Sequence, residues 1–351
     1  MIYFYKTLSP HKIENLQKYL EYFFTELFTD SFPTYTHADF IHVSFQPAID
    51  ANKVQVDDKL KAIHKAYMKL KSPKRTIVKN AFKNNSDTEG ICAGTVKPYK
   101  YNDLPKGIRS PLKSFYDELW ESILAYARVV DKCGTLKEHF KQFRKKNRNS
   151  VCPFCGIDGL LNEYDELKNA YDHYIPQKKY PFCSVLFKNL SPICDTCNRS
   201  GNKGAKDIPF KPKTKVQRPL YFPYATVANH KIKLSITSTS TDLKKLANWT
   251  LNIDCVPAAN ANKKEAWNEI FNIEKRYKAL IAKGSSHWAN QIVKELHMQS
   301  KQTGFNLNNY ISNKIFSYSD LENQKEAIVQ KCYHEFYLNH PSFKKNIIGL
   351  I

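Results

Sequence analysis

The sequence lacks long apolar runs, the layout of a secretion signal and a glycine-rich phosphate loop. No apolar run approaches the roughly 18–20 residues that a membrane helix needs, so we expect no membrane span. The N-terminal residues do not show a basic start, an apolar stretch and a small-residue cleavage site in that order, so we predict a cytoplasmic protein. The pattern G-x-x-x-x-G-K-[ST] is also missing, and the chain is therefore not itself a recognisable ATPase.

Acidic residues are few relative to basic ones. Asp and Glu number 33 against 54 Lys and Arg, which gives a formal net charge of +21. Such a surplus predicts a polyanionic partner, and without a membrane segment the default partner is nucleic acid. Hydrophobic residues make up 42% of the 351 positions, which is enough apolar surface for a folded protein of two or three domains.

The organisation along the chain predicts an α+β protein with mainly helical flanks around a central cysteine-containing segment. We place a mainly helical N-terminal domain with a basic end at 1–150, the central module at 151–208, and a C-terminal α+β region of short strands followed by helices at 209–351. Alternation of apolar residues predicts strands over 230–238 and 249–256.

Local patterns in the N-terminal region give more detailed expectations. Alternating apolar residues at 40–45 are typical of a short strand, and the prolines and glycines of 71–110 indicate a loop-rich stretch. Apolar residues at helical spacing predict one amphipathic helix over 112–130 that Gly134 ends. A second helix is expected from Thr135.

The nine cysteines are an odd number in a chain without a secretion signal, which does not indicate a disulfide framework. Cys152 with Cys155, and Cys194 with Cys197, form two C-x-x-C pairs that lie 39 positions apart. Four thiolates on one Zn²⁺ ion make a closed, structural site. We therefore predict a structural zinc; the alternatives are a redox pair, which normally has one C-x-x-C near a βαβ unit, or two chance pairs.

Polar residues between and after the cysteine pairs form a second pattern. Asp172 and His173 follow a charged, helix-like run over 162–170, and Asn189 comes before the second cysteine pair. Asn198 directly follows Cys197, and Asn202 lies four positions later, which is one helix face if a helix begins near this point.

The order D-H, N-L and C-x-x-C-N-x-x-x-N resembles the zinc-containing form of the HNH endonucleases, which have the ββα-metal fold. The resemblance covers the segment 151–208 and implies a central ββα-metal module. Asn198 stands where the family name has its last His, so the pattern here is H-N-N. This departure is known within the family, where Asn can replace that His as a metal ligand.

The resemblance implies a role for each of these residues. His173 corresponds to the general base, and Asp172 and Asn198 correspond to ligands of one Mg²⁺, Mn²⁺ or similar ion. Asn189 corresponds to the residue that ties the loop between the two strands by side-chain hydrogen bonds and so fixes the tilt of His173. Asn202 is a candidate further metal contact.

Basic residues near the motif are candidates for phosphate contacts. Within the module these are Arg199, Lys203 and Lys206. The basic stretch just before the first cysteine pair adds Arg144, Lys145, Lys146 and Arg148. The alternative for all of them is an ordinary solvated surface.

The resulting hypothesis is a metal-dependent endonuclease that hydrolyses double-stranded DNA, in bacterial defence against foreign DNA. One candidate partner is an ATPase for which this chain is the effector. The other is a second copy of the chain, in a homodimer that cuts both strands. Two other hypotheses stay open: a zinc-stabilised nucleic-acid-binding module without catalysis, and a nuclease directed at RNA.

Overall fold

The computed structural model describes residues 1–162, 164, 171–227 and 229–343. Within these ranges the protein has the predicted α+β class, with many helices and two small antiparallel two-stranded sheets. The helix-like run predicted over 162–170 lies largely outside the described residues. None of the helices in the described ranges is long and apolar enough to cross a membrane.

The N-terminal region is helical, as predicted. Its α-helices are α1 (Asn15–Thr29), α2 (His37–Phe40), α3 (Gln46–Asp50), α4 (Asp57–Met68), α5 (Ser72–Ser86), α6 (Thr88–Ala93), α7 (Lys106–Glu121), α8 (Ala127–Cys133) and α9 (Leu136–Lys146). They enclose an aromatic-rich core in which Phe23 and Phe24 of α1 are fully buried. Complete burial of one such side chain stabilises the fold by about 1.5–3 kcal/mol.

Two local expectations for this region are wrong. The alternation at 40–45 does not form a strand, because Phe40 ends α2, Phe45 precedes α3, and Val43 between them is 72% exposed. The stretch 71–110 is not mainly loop, because it contains α5, α6 and the start of α7, and several of its prolines and glycines lie at helix ends. Pro73 is in the first turn of α5, and Gly94 ends α6 in the left-handed conformation with φ +79°.

The helix expected over 112–130 is two helices. Backbone at Ser122 leaves the helical region with φ −132°, so α7 ends at Glu121 and α8 begins at Ala127. The predicted helix from Thr135 is confirmed as α9, and Thr135 and Glu138 form a reciprocal capping box at its start.

The central segment contains strands β1 (Tyr171–His173) and β2 (Leu190–Pro192) and the short helix α10 (Asp195–Asn198). The strands pair antiparallel, with Asp172 opposite Ser191 and His173 opposite Leu190. The chain order is therefore strand, long loop, strand and helix, and the two cysteine pairs lie before β1 and at the start of α10.

The C-terminal region begins with the predicted hairpin, β3 (Lys231–Thr237) paired with β4 (Thr250–Val256). It continues with α11 (Ala261–Phe271), α12 (Ile273–Gln299), α13 (Leu307–Phe316) and α14 (Ala327–Asn339). Asn272 separates α11 from α12 because its backbone is left-handed, with φ +53°.

The hydrophobic cores cross the predicted domain boundaries. Residues 1–5 pack with the cysteine pairs and with the C-terminal helices, and Tyr5 also contacts Phe143 of α9. Conversely, Phe182 and Val185 of the loop between β1 and β2 belong to the N-terminal core, where the Phe182 ring lies 5.2 Å from that of Phe24. The loop between β1 and β2 is thus held in place by packing against the N-terminal helices.

Candidate functional site

The four paired cysteines converge in the interior. All are buried, and the sulfur atoms of Cys152, Cys155, Cys194 and Cys197 lie within 4.8 Å of one another. Tetrahedral zinc with Zn–S bonds of about 2.3 Å separates two sulfurs by about 3.8 Å. The Sγ atoms of Cys155 and Cys194 are 3.8 Å apart, so the cluster fits one structural zinc ion.

Local backbone geometry turns each pair inward. Gly156 follows the first pair with φ +66°, and its N–H donates to the Cys152 carbonyl over 2.8 Å, which closes a tight turn. In the second pair Cys194 caps α10, and its sulfur accepts a hydrogen bond from the Cys197 N–H at 3.4 Å. Sequence spacing alone predicts both turns.

A long-range contact from α12 completes the surroundings of the cluster. Arg276 donates through Nη1 to Cys197 Sγ at 3.2 Å and through Nη2 to Asp158 Oδ2 at 3.1 Å. A zinc ion with four thiolates carries a net charge of −2, so the guanidinium offsets part of it. No sequence pattern indicates Arg276, because it lies 79 positions beyond Cys197.

His173 ends β1 and is a partly buried residue. Its Nε2 lies 2.8 Å from the carbonyl oxygen of Ser184, and because a carbonyl only accepts, Nε2 carries the proton. Burial lowers the pKa of His173 to about 4; the Ser184 carbonyl opposes this shift and the Lys203 ammonium adds to it. The ring is therefore neutral at physiological pH, and no described residue forms a hydrogen bond with its Nδ1, which carries the lone pair.

Two elements hold this ring in place. The Trp120 ring of α7 meets it edge-on, with ring centroids 4.4 Å apart. Ser184 is flanked by the loop residues Phe182 and Val185 that pack into the N-terminal core. The orientation of His173 thus depends on helices that precede it by more than 50 positions, which sequence reasoning missed.

Asn189 forms side-chain hydrogen bonds of the kind that the resemblance implies. Its Oδ1 accepts from the Ile175 N–H at 2.7 Å, and its Nδ2 donates to the carbonyls of Ile175 at 3.0 Å and Cys183 at 3.1 Å. The side chain is fully buried. It therefore ties the two ends of the loop together and fixes Cys183, the residue before Ser184.

Asp172 forms a buried ion pair with Lys203. The Lys203 Nζ lies 2.8 Å from Oδ1 and 2.7 Å from Oδ2, and the two side chains are 1% and 8% exposed. The same ammonium donates to the His173 carbonyl at 2.9 Å. Burial raises the pKa of the Asp172 carboxyl, and Lys203 opposes that shift. Lys203 therefore does not contact phosphate as predicted, because its ammonium is enclosed and already occupied.

The two other predicted oxygen ligands differ in availability. Asn198, at the end of α10, is partly exposed, and no described residue forms a hydrogen bond with its side chain. Asn202 has both amide atoms engaged, because Nδ2 donates to the Thr196 carbonyl and Oδ1 accepts from Asn272. The expected metal contact of Asn202 thus conflicts with its structural hydrogen bonds.

The predicted phosphate contacts separate into buried and exposed groups. Arg144 is buried and donates to the carbonyls of Asn147 and Asn149, so it does not face nucleic acid as predicted. Lys206 is half-buried and donates to the Ile270 carbonyl. Arg199 is exposed just after α10.

The three remaining predicted cations share one exposed cleft. Lys145, Lys146 and Arg148 line a cavity of about 460 Å³, together with Lys6, which sequence reasoning missed. Lys6 is brought there because the Asn147 side chain bonds both its backbone N–H and its carbonyl. Among the described residues of the lining, Glu322 is the one acidic residue.

Comparison with known proteins gives no match: no family model, no curated protein and no solved structure is significantly similar to this chain. Inference about function therefore depends on the geometry of the site and on the sequence motif.

Proposed function

We propose that this chain is a metal-dependent DNA endonuclease of the HNH type, with His173 as general base. The observation that carries the proposal is the hydrogen bond from His173 Nε2 to the Ser184 carbonyl. It leaves a neutral Nδ1 on a partly buried residue, within a strand–strand–helix unit that the four-cysteine cluster closes. This arrangement agrees with the order of residues that resembles the HNH motif.

In the proposed reaction His173 Nδ1 accepts a proton from a water molecule. The water oxygen bonds to phosphorus while the bond from phosphorus to the leaving sugar oxygen breaks. The lowered pKa of about 4 keeps the base form present throughout the physiological range, although it also makes the imidazole a weaker base. Asn189 and Trp120 hold the loop and the ring that present Nδ1.

Asp172 and Asn198 are the residues proposed to hold the divalent ion. A carboxylate and an amide oxygen are donors that Mg²⁺ and Mn²⁺ accept. When bound, such an ion neutralises charge on the phosphate and at the leaving oxygen. The Asn198 amide, which has no hydrogen-bond partner among the described residues, supports this assignment, whereas the Asp172 carboxylate is shared with Lys203.

The four-cysteine site has a structural role in this proposal. Its pairs come before β1 and at the start of α10, so a zinc ion there fixes the helix that carries Asn198 relative to the hairpin that carries His173. With four sulfur ligands there is no open position for water.

The surplus of positive charge supports a nucleic-acid substrate, and the resemblance to HNH endonucleases is the reason for proposing DNA. The cleft formed by Lys6, Lys145, Lys146 and Arg148 offers four cations for the phosphate backbone, and Arg199 is exposed near α10. Such contacts bind without sequence preference.

The proposed biological role is defence of a bacterial cell against foreign DNA, with a partner ATPase and with dimers for double-strand cutting. The sequence supports the first partner only in having no phosphate loop of its own. Co-purification of an ATPase with the tagged chain, and mass measurement of the complex in solution, test these two partners.

A second candidate function is a zinc-stabilised nucleic-acid-binding module without catalysis. The Asp172–Lys203 ion pair favours it, because a carboxylate that an ammonium already neutralises is less available to a metal ion. This candidate predicts tight nucleic-acid binding with no cleavage under any divalent ion.

The experiment that separates the candidates uses supercoiled plasmid and a folded RNA of similar mass as substrates. Purified zinc-loaded protein is incubated without added divalent ion, with Mg²⁺ and with Mn²⁺. We expect nicked or linear plasmid only with a divalent ion and only when His173 is intact. Degradation of the RNA alone would replace the DNA assignment. Binding without cleavage of either substrate would favour the binding module.

A further inference from the structure

The Lys203 ammonium is paired with the Asp172 carboxylate, which is the proposed ligand of the divalent ion. It contacts both carboxylate oxygens, at 2.8 and 2.7 Å, and its own side chain is almost completely enclosed. Ordinary surface ion pairs contribute little because solvent screens them, but a pair at this depth interacts strongly.

The backbone around Lys203 holds this arrangement. Its N–H donates to the Cys197 carbonyl at 3.1 Å, which fixes the residue to the end of α10. The next residue, Gly204, has φ +43°, and a Cβ there would lie 2.8 Å from the Ser200 backbone, so the turn requires glycine. Lys203 is therefore built into the module and is not a surface lysine that reaches inward by chance.

We propose that Lys203 is a built-in competitor of the catalytic metal ion, which must displace its ammonium from Asp172 in order to bind. The inference rests on the proposed function, because it takes Asp172 as a ligand of that ion. An ammonium and a divalent ion cannot share one buried carboxylate without strong mutual repulsion. Besides Asp172, the ammonium already donates to two other acceptors, the carbonyls of His173 at 2.9 Å and Gly204 at 3.3 Å, and it can keep them when it leaves the carboxylate. Displacement from Asp172 thus leaves Lys203 hydrogen-bonded in the interior.

This role differs from a purely structural one in its effect on metal affinity. If Lys203 only supports the fold, its removal weakens metal binding or leaves it unchanged. If Lys203 competes with the ion, its removal strengthens metal binding, because the ion then meets an unpaired carboxylate.

The test measures Mn²⁺ binding to the zinc-loaded full chain by electron paramagnetic resonance of free Mn²⁺. Lys203→Gln removes the charge but keeps a donor for Asp172, which protects the fold. Lys206→Gln is the matched control, because Lys206 lies in the same segment and bonds the Ile270 carbonyl instead. Asp172→Asn combined with Lys203→Gln removes the proposed metal ligand.

We expect Lys203→Gln to raise the Mn²⁺ affinity by about tenfold or more over the wild-type chain, and Lys206→Gln to leave it unchanged. The double variant should lose the gain. Mn²⁺ should also raise the melting temperature of Lys203→Gln more than that of the wild-type chain. Equal or weaker Mn²⁺ binding by Lys203→Gln would overturn the competition. Because this readout does not involve cleavage, that result leaves the assignment of His173 to be decided by the nuclease assay.

Discussion

The four-cysteine cluster and the Asp172–His173 site lie in the same module but solve different physical problems. The cluster brings four identical donors together, with sulfurs at the spacing of a zinc tetrahedron. The histidine site instead satisfies its groups from within the protein, through the Ser184 carbonyl and the Lys203 ammonium. The first site is organised to stabilise a fold, whereas the second keeps one nitrogen free at a fixed position, which is what a general base requires.

Substitution of a cysteine in the cluster should have the largest effect on the protein. Cys194→Ser removes one thiolate, and because a structural zinc site contributes on the order of 10 kcal/mol to folding, we expect loss of zinc and of cooperative unfolding. Elemental analysis and circular dichroism measure both. Cys255→Ser is the control, since Cys255 lies in β4 outside the cluster and is partly exposed. A Cys194→Ser protein with full zinc content would contradict the structural assignment.

Replacement of Arg276, the residue of α12 that contacts the cluster, should have a smaller effect on zinc binding. Arg276→Met removes the donor to Cys197 and should weaken zinc affinity by about 10–100-fold. Competition with a chromogenic chelator measures this change. Lys275→Met, at an exposed position of the same helix, should leave the affinity unaltered. Equal zinc release from both variants would show that the guanidinium is not needed.

The basic cleft should affect nucleic-acid binding and neither of the two sites. Replacement of Lys145, Lys146 and Arg148 by Gln should lower the slope of log affinity against log salt by about 2 to 3, because each phosphate contact contributes about 0.9. The same replacements at the exposed lysines 211, 213 and 215 are the control. Titration of labelled duplex at several salt concentrations measures the slopes. An equal loss in both triple variants would point to non-specific charge.

The pH dependence of cleavage tests the histidine site, because the cleavage rate should not change near the ordinary pKa of histidine. Because burial lowers the pKa of His173 to about 4, cleavage should show no inflection near pH 6.5 as the pH falls from 8 to 5.5. For stability, the unfolded chain binds this proton between about pH 6.5 and 4 while the folded chain does not. The free energy of unfolding therefore decreases as the pH falls through that window. An activity midpoint near 6.5 would mean that the ring is more solvated than the structure has it.

Sequence reasoning succeeded where one short stretch decides the outcome. The C-x-x-C spacing predicted the cluster, and Thr135 predicted the start of α9, whereas the loop hydrogen bonds of Asn189 were implied by the resemblance. It failed where a local signal has two meanings. Proline and glycine were assigned to loops over 71–110, although Pro73 begins a helix and Gly94 ends one.

Contacts between distant parts of the chain could not be predicted. Lys203 lies 31 positions from Asp172, and nothing in its neighbourhood distinguishes a buried ion pair from a phosphate contact. Trp120 precedes the module in the sequence and Arg276 follows it, and neither residue is part of a recognisable motif. Such contacts depend on how helices pack, and this packing cannot be inferred from the local patterns of a single sequence.

The most direct test of the account compares wild-type protein with His173→Ala in one preparation series, measuring zinc content, melting temperature and Mg²⁺-dependent plasmid cleavage together. His287→Ala, at an exposed position of α12, is the control. The account predicts that His173→Ala keeps its zinc and its fold but loses cleavage by a factor of about 10²–10⁴. Cleavage by pure His173→Ala at the wild-type rate would contradict it.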